Sequence, residues 1–149
     1  MTRTAGADRL AAVVVTFNRL EKLKVTLARL LESPAGELDH VLVVDNASDD
    51  GTPAWLATLE DPRLVVLREP VNSGGAGGFA RGMREAMARF DPDWLVVMDD
   101  DGSPAPGALA TFHALDKAGY EGMAAAVYFP NGTICEMNRP SRTPFWHGR

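Results

Sequence analysis

Cysteine is almost missing from this chain. Cys135 stands alone among 149 residues, so no internal disulfide can staple the fold, and a reducing compartment is the expected home. Long hydrophobic runs are missing too. None approaches the roughly 18 apolar residues that span a bilayer. The opening MTRTAGADRL lacks an apolar leader core, so the expected location is the cytoplasm, at most peripheral to the inner face of the membrane. There is no excess of positive charge. Fifteen Lys and Arg against twenty Asp and Glu leave a net charge of −5, which argues against nucleic acid as a general partner. Internal repeats and low-complexity linkers are absent, which excludes repeat arrays.

What is present is an ordinary globular composition, 46 % hydrophobic, at a length suited to one domain. Short apolar runs at 10–17 (LAAVVVTF), 40–45 (HVLVVD), 63–67 (RLVVL), 93–98 (DWLVVM) and 123–129 read as five strands. Helical spacing falls between them. Leu20, Leu23, Leu27, Leu30 and Leu31 form one stripe, closed by Pro34 and Gly36. Thr52 before Pro53 suggests an N-cap with proline at the first helical position. A glycine-rich loop over 72–78 is expected to lead into a helix carrying Phe79, Met83, Met87 and Phe90. A proline-bounded helix follows with Leu109, Phe112 and Leu115, and Asn131-Gly132 signals a hairpin turn. Strands alternating with helices imply an α/β fold, a mostly parallel sheet covered on both faces. The expected organisation is a tail over 1–9, one domain over 10–136 and an irregular basic tail over 137–149.

Ligands of open α/β sheets bind beyond the carboxyl ends of the strands, and each distinctive polar cluster falls at such an end. Thr16-Phe17-Asn18-Arg19 follows the first strand, Asp45-Asn46-Ala47-Ser48 the second, Asn72-Ser73-Gly74-Gly75 the third and Asp99-Asp100-Asp101 the fourth. Three successive carboxylates repel unless compensated, and a hard divalent cation is their natural partner. Pleating would point Asp99 and Asp101 to one side and Asp100 to the other; the plain alternative is a solvated acidic loop. The glycines of NSGGAGGFARG suit close approach of a phosphate to a helix N-terminus, with Arg81 on the first turn. A dinucleotide fingerprint through Gly75, Gly77 and Ala80 competes poorly, because it should follow the first strand. Asp45 reads either as an acceptor for a nucleobase or ribose or as a turn cap. Arg19 and Arg68 read as solvated charges. His40, His113 and His147 lack ligand spacing, and the two Asn-x-Ser/Thr matches read as turns.

Together VVVTFNR (13–19), VVDNASDDGT (43–52), NSGGAGGFARG (72–82), MDDDG (98–102) and YFPNGTI (128–134) resemble the family 2 glycosyltransferases of the GT-A, Rossmann-like fold. The galactofuranosyl- and rhamnosyltransferase-like branch is the most similar. The resemblance implies inverting transfer from a nucleotide-diphospho-sugar, a UDP-sugar foremost, to a glycan or lipid-linked acceptor in cell-wall or polysaccharide synthesis. It implies that Thr16, Phe17 and Asn18 line the nucleotide pocket and that Asp45 meets the uracil or ribose. Asn72, Gly74, Gly75 and Arg81 would follow the diphosphate. Asp99 and Asp101 would hold Mn2+ or Mg2+, with Asp100 toward the ribose or sugar.

Full members continue past the acidic triplet into an acceptor half that supplies the catalytic base. This chain runs 48 residues beyond Asp101, and Glu121 and Glu136 are its only carboxylates after Asp116. No base is identified among them. The expectation is a donor-binding half, truncated and poor at transfer alone, with self-association or a partner to supply the rest. A non-catalytic nucleotide-sugar module or truncated gene product is the alternative. A phospho-accepting receiver domain would want acidic residues where Thr16-Phe17-Asn18 stand.

Overall fold

A computed structural model of the chain describes residues 8–138. The chain divides into two compact units between Leu115 and Asp116. In the first unit β1 (Leu10–Thr16), β2 (His40–Asp45), β3 (Leu64–Arg68) and β4 (Trp94–Asp99) form one parallel sheet in the order β3-β2-β1-β4. The connections run through α1 (Leu20–Leu31), α2 (Thr52–Leu56) and α3 (Gly74–Phe90), and α4 (Ala108–Ala114) follows β4.

Period-two alternation sorts the β1 and β2 side chains onto two cores. Leu10, Ala12 and Val14 of β1 join Val41 and Val43 of β2 under Leu23, Leu27 and Leu30 of α1, Leu56 of α2 and Leu109 of α4. Val13 and Val15 join Leu42 and Val44 on the opposite face, under α3. Both central strands are buried on both sides, which is why they read as unbroken apolar runs.

Three local expectations need correction. Thr52 is the first residue of α2 and Gly51 its N-cap, with no side-chain cap; the Asp50 carboxylate accepts from the Thr52 N–H at 2.9 Å and meets that orphan donor instead. Leu115 lies just past α4, as its C-cap. The run 123–129 forms no regular strand. Only one antiparallel bridge, Tyr128 to Ile134, is made there. The hairpin turn itself is present: Gly132 takes φ +83°, and the Phe129 N–H donates to the Thr133 carbonyl at 2.8 Å. Ala124, Ala125 and Ala126 offer little apolar surface, so nothing draws this run into a sheet.

Arg63 ties β3 to the end of α1. Its guanidinium donates to the Leu31 carbonyl at 2.6 Å, to the Ser33 carbonyl at 2.7 Å and to Asp61 at 3.0 Å. Arg63→Ala should cost about 1.5–3 kcal/mol, seen in urea as a lower midpoint with unchanged slope. The Arg63 hydrogen bond holds the Asp61 carboxyl below its ordinary value. That share of the stability is present above the ordinary value and fades as pH falls through the lowered one. The gap between variant and parent should therefore narrow in acid.

Candidate functional site

The carboxyl ends of three strands stand in register. Thr16 pairs with Asp45, and Asp45 with Arg68. Asp99 on β4 pairs with Val15. The strand order reverses at β1, with β2 and β3 to one side and β4 to the other. The crevice beyond such a reversal is where open α/β sheets bind ligands. All four expected clusters reach this rim.

On the β4 side, the acidic triplet does not continue the pleat. β4 ends at Asp99, and the chain turns, with the Gly102 N–H donating to the Asp99 carbonyl at 3.2 Å. Asp99 and Asp101 stay exposed while Asp100 is buried, so the expected division of the three arises from a turn rather than from alternation. The Thr16 hydroxyl donates to Asp100 Oδ2 at 2.8 Å, and Arg19 Nη1 donates to Oδ1 at 3.3 Å. Thr26, on the buried stripe of α1, donates to the Asp100 and Gly102 carbonyls at 2.8 and 2.9 Å. Asp100 is thus an internal anchor of the turn.

Asp101 faces two cations, Arg19 Nη1 at 2.9 Å and Lys22 Nζ at 3.3 Å. Burial pushes its carboxyl up, but Lys22 and Arg19 hold it below the ordinary value on balance. The same contacts, the Asp100 hydrogen bond first, raise Arg19 further. The Asp99 carboxylate makes no hydrogen bond or ion pair among the described residues. Two hard carboxylates fit Mg2+ or Mn2+, which are commonly held by one or two carboxylates plus substrate phosphates. No three His, Cys, Asp or Glu among the described residues gather into an all-protein cage.

On the β2 side, Asp45 is 1 % exposed. Its Oδ1 accepts from the Ser48 N–H at 2.9 Å, so the turn-capping reading holds for that oxygen. Its Oδ2 is buried without a hydrogen-bond partner. Arg68 Nε lies 4.0 Å away and Arg68 Nη2 donates to the Ser48 carbonyl at 3.2 Å. Asn18, at φ +53°, is spent on the same region. Its Oδ1 accepts from the Asp49 and Asp50 N–H groups at 2.9 and 3.3 Å, and its Nδ2 donates to Asp49 at 2.7 Å. Phe17 stands beside it, 42 % exposed.

Asn46 links β2 to the start of α3. Its Nδ2 donates to Asn72 Oδ1 at 2.9 Å and to the Gly74 carbonyl at 3.0 Å, while its Oδ1 accepts from the Ser73 N–H at 3.0 Å. Asn72 Oδ1 also accepts from the Gly74 N–H at 2.8 Å. Clipped in this way, α3 begins at Gly74, inside the run expected to be loop, and Arg81 lies two turns in rather than on the first. Arg81 is paired there with Glu69 at 3.3 Å and Glu85 at 2.8 Å. The glycines divide by task. Gly78 and Gly82 let α3 press on the sheet, since a Cβ would stand 2.6 Å from Val15 and 2.5 Å from Val13. Gly75 faces open space, with nothing within 4 Å of such an atom.

Sequence reasoning underweighted Arg19, Arg68 and Asn46. Their signal was position: Arg68 ends β3, Asn46 directly follows β2, and Arg19 caps α1 just beyond β1. Thr26 carried a fainter signal, a hydroxyl within a leucine stripe.

The family described as "Glycosyl transferase family 2" matches residues 11–149. The undecaprenyl-phosphate mannosyltransferase of Micrococcus luteus is 42 % identical over 103 residues, 68 % of this chain and 41 % of that protein. Galactofuranosyltransferase GlfT1 of Mycolicibacterium smegmatis is 35 % identical over 97 % of this chain and 44 % of its own length. Among solved structures, mannosyltransferase PcManGT from Pyrobaculum calidifontis, in complex with GDP-Man and Mn2+, superposes with a TM-score of 0.63 at 26 % identity, covering 85 % of this chain and 37 % of that one. The chain therefore spans less than half the length of these relatives.

Proposed function

The chain belongs to glycosyl transferase family 2, and from that membership and the crevice we propose that it binds a nucleoside-diphospho-sugar, a UDP-sugar foremost, with a divalent cation. The activity served is inverting transfer of the sugar to a glycan or lipid-linked acceptor. The carrying observation is placement: one rim, at the reversal of strand order, holds a buried carboxylate oxygen with no hydrogen-bond partner, an open glycine-rich helix start and two exposed carboxylates.

In this reading Asp45 accepts from the nucleoside, and Phe17 borders it. Thr16 and Asn18 act one step back, fixing Asp100 and the 48–50 turn. Gly74 and Gly75 let the diphosphate approach the unpaired N–H groups at the start of α3, and Asn72 fixes that start. Arg81 stiffens α3 beside them through Glu69 and Glu85. Asp99 and Asp101 hold Mn2+ or Mg2+, which when bound neutralises charge on the leaving diphosphate. Asp100 positions Arg19. The Mn2+ and GDP-Man named with the Pyrobaculum structure support this donor chemistry, and the undecaprenyl phosphate in the Micrococcus name supports a lipid-linked acceptor. No helix among the described residues is long and apolar enough to cross a membrane; the proposed location is cytoplasmic, beside the inner membrane face.

Calorimetric titration with UDP, in Mn2+ and again in EDTA, tests the proposal. Binding in Mn2+ that weakens about tenfold or more in EDTA is expected, by analogy with the loss on disturbing a metal site. No binding in either buffer would overturn the donor reading. Equal binding in both would remove the cation from it.

A further inference from the structure

The second unit, beginning at Asp116, holds an exposed apolar stretch. Residues 122–135 (GMAAAVYFPNGTIC) contain no charged side chain, yet every residue from 121 to 133 is exposed. Met123, Val127, Tyr128 and Phe129 are between 41 and 60 % exposed. Contiguous apolar surface of this kind marks an interaction site. Tyr128, paired with Ile134, and Phe129 beside it lie on a short hairpin, and a lone two-stranded hairpin buries too little to be stable by itself in water. The polar groups of its tip are already spent. The Phe129 N–H donates to the Thr133 carbonyl at 2.8 Å, the Gly132 N–H to the Phe129 carbonyl at 2.8 Å and the Cys135 N–H to the Val127 carbonyl at 2.7 Å. Asn131 Oδ1 accepts from the Thr133 N–H at 3.0 Å and from its hydroxyl at 2.7 Å. A tip satisfied internally loses less on leaving water.

The sequence that follows is basic. Residues 137–149 carry Arg139, Arg142 and Arg149, with Phe145-Trp146 and no Asp or Glu, in a chain whose net charge is −5. Aromatic and basic residues together suit the headgroup level of an anionic bilayer. The uncharged stretch is too short to span one. We propose that the 127–134 hairpin and the arginines after it dock on an anionic lipid surface. This deepens the placement beside a membrane given above and does not depend on the donor chemistry. Tyr128 and Phe129 enter the boundary between headgroups and acyl chains, and the arginines meet the lipid phosphates. Glu121 and Glu136, which bracket the uncharged stretch, stay on the water side.

Flotation of the full chain with phosphatidylcholine vesicles, with and without phosphatidylglycerol, is the test. The parent should bind the vesicles that contain phosphatidylglycerol, less so as salt rises. The double variant Tyr128→Ala, Phe129→Ala should lose about tenfold or more, from the apolar area of two rings. Changing Arg139→Gln, Arg142→Gln and Arg149→Gln should lose on the order of fivefold per charge removed, and with it the preference for phosphatidylglycerol. Equal flotation of parent and double variant would overturn the hairpin and leave the membrane placement standing. No flotation of the parent would overturn both, while the UDP titration decides the donor reading separately. A parent that dimerises without lipid and does not float, with a monomeric double variant, would give this face to a second copy and overturn the lipid. Thermal midpoints of parent and double variant, expected to agree because Tyr128 and Phe129 are exposed, separate loss of docking from loss of fold.

Discussion

Asp101→Ala should weaken UDP binding about 10–100-fold in Mn2+ and leave binding in EDTA nearly unchanged. In the ligand-free protein Asp101 already carries two cations, Arg19 at 2.9 Å and Lys22 at 3.3 Å. A divalent ion arriving there competes with both. Lys22→Met should therefore act in the opposite sense, raising Mn2+ affinity without nucleotide by about threefold to tenfold, a modest gain because Lys22 and Asp101 are both partly exposed. Manganese titration followed by electron paramagnetic resonance reads both effects without any turnover. If Asp101→Ala loses equally in Mn2+ and EDTA, Asp101 is no metal ligand. If Lys22→Met binds Mn2+ as the parent does, Lys22 is only a surface pair.

Gly82→Val should destabilise the fold by about 3 kcal/mol or more. A Cβ at Gly82 would stand 2.5 Å from Val13 and 2.9 Å from Val44, both fully buried on the central strands. Overpacking typically costs about 1–3 kcal/mol, and two further methyl groups add to it. The helix-propensity gain of well under 1 kcal/mol runs the other way and is too small to win. Gly75→Ala is the control. Nothing lies within 4 Å of an added Cβ there, so it should be neutral or stabilise by up to about 1 kcal/mol. Urea denaturation compares the two. A Gly82→Val protein as stable as the parent would mean that α3 shifts on the sheet at little cost.

These contrasts mark what could be read before the fold was known. Apolar runs announce the strands: 10–17, 40–45, 63–67 and 93–98 differ from β1 to β4 by a residue at most ends, and the signal is strongest for β1 and β2, where burial on both faces demands a continuous apolar run. The rim followed from those strands alone. The start of α3 did not. Four glycines within 74–78 carry a strong loop signal, and what overrides it is tertiary: Gly78 and Gly82 are needed for contact with Val15 and Val13, and Asn46 clips the chain just ahead. The hairpin turn at Asn131-Gly132 was legible from local φ preference, whereas the strand before it required a partner that local sequence cannot supply. Ionic partners were the least legible. Arg19 and Arg68 look like any surface arginine until β1, β2, β3 and β4 lie side by side.

The Thr16–Asp100 bond joins groups 84 residues apart in the chain. The central strand of the sheet is the first in sequence, and its second neighbour, β4, is the last. β4 pairs with β1 alone, at the edge of the sheet, and reaches it only after the 69–93 crossover through α3. The acidic turn comes into place only with that pairing. The acidic side of the crevice therefore depends on β4 staying docked and is lost when β4 frays. A chain can hold a well-formed three-stranded core and still have no place for its ligand.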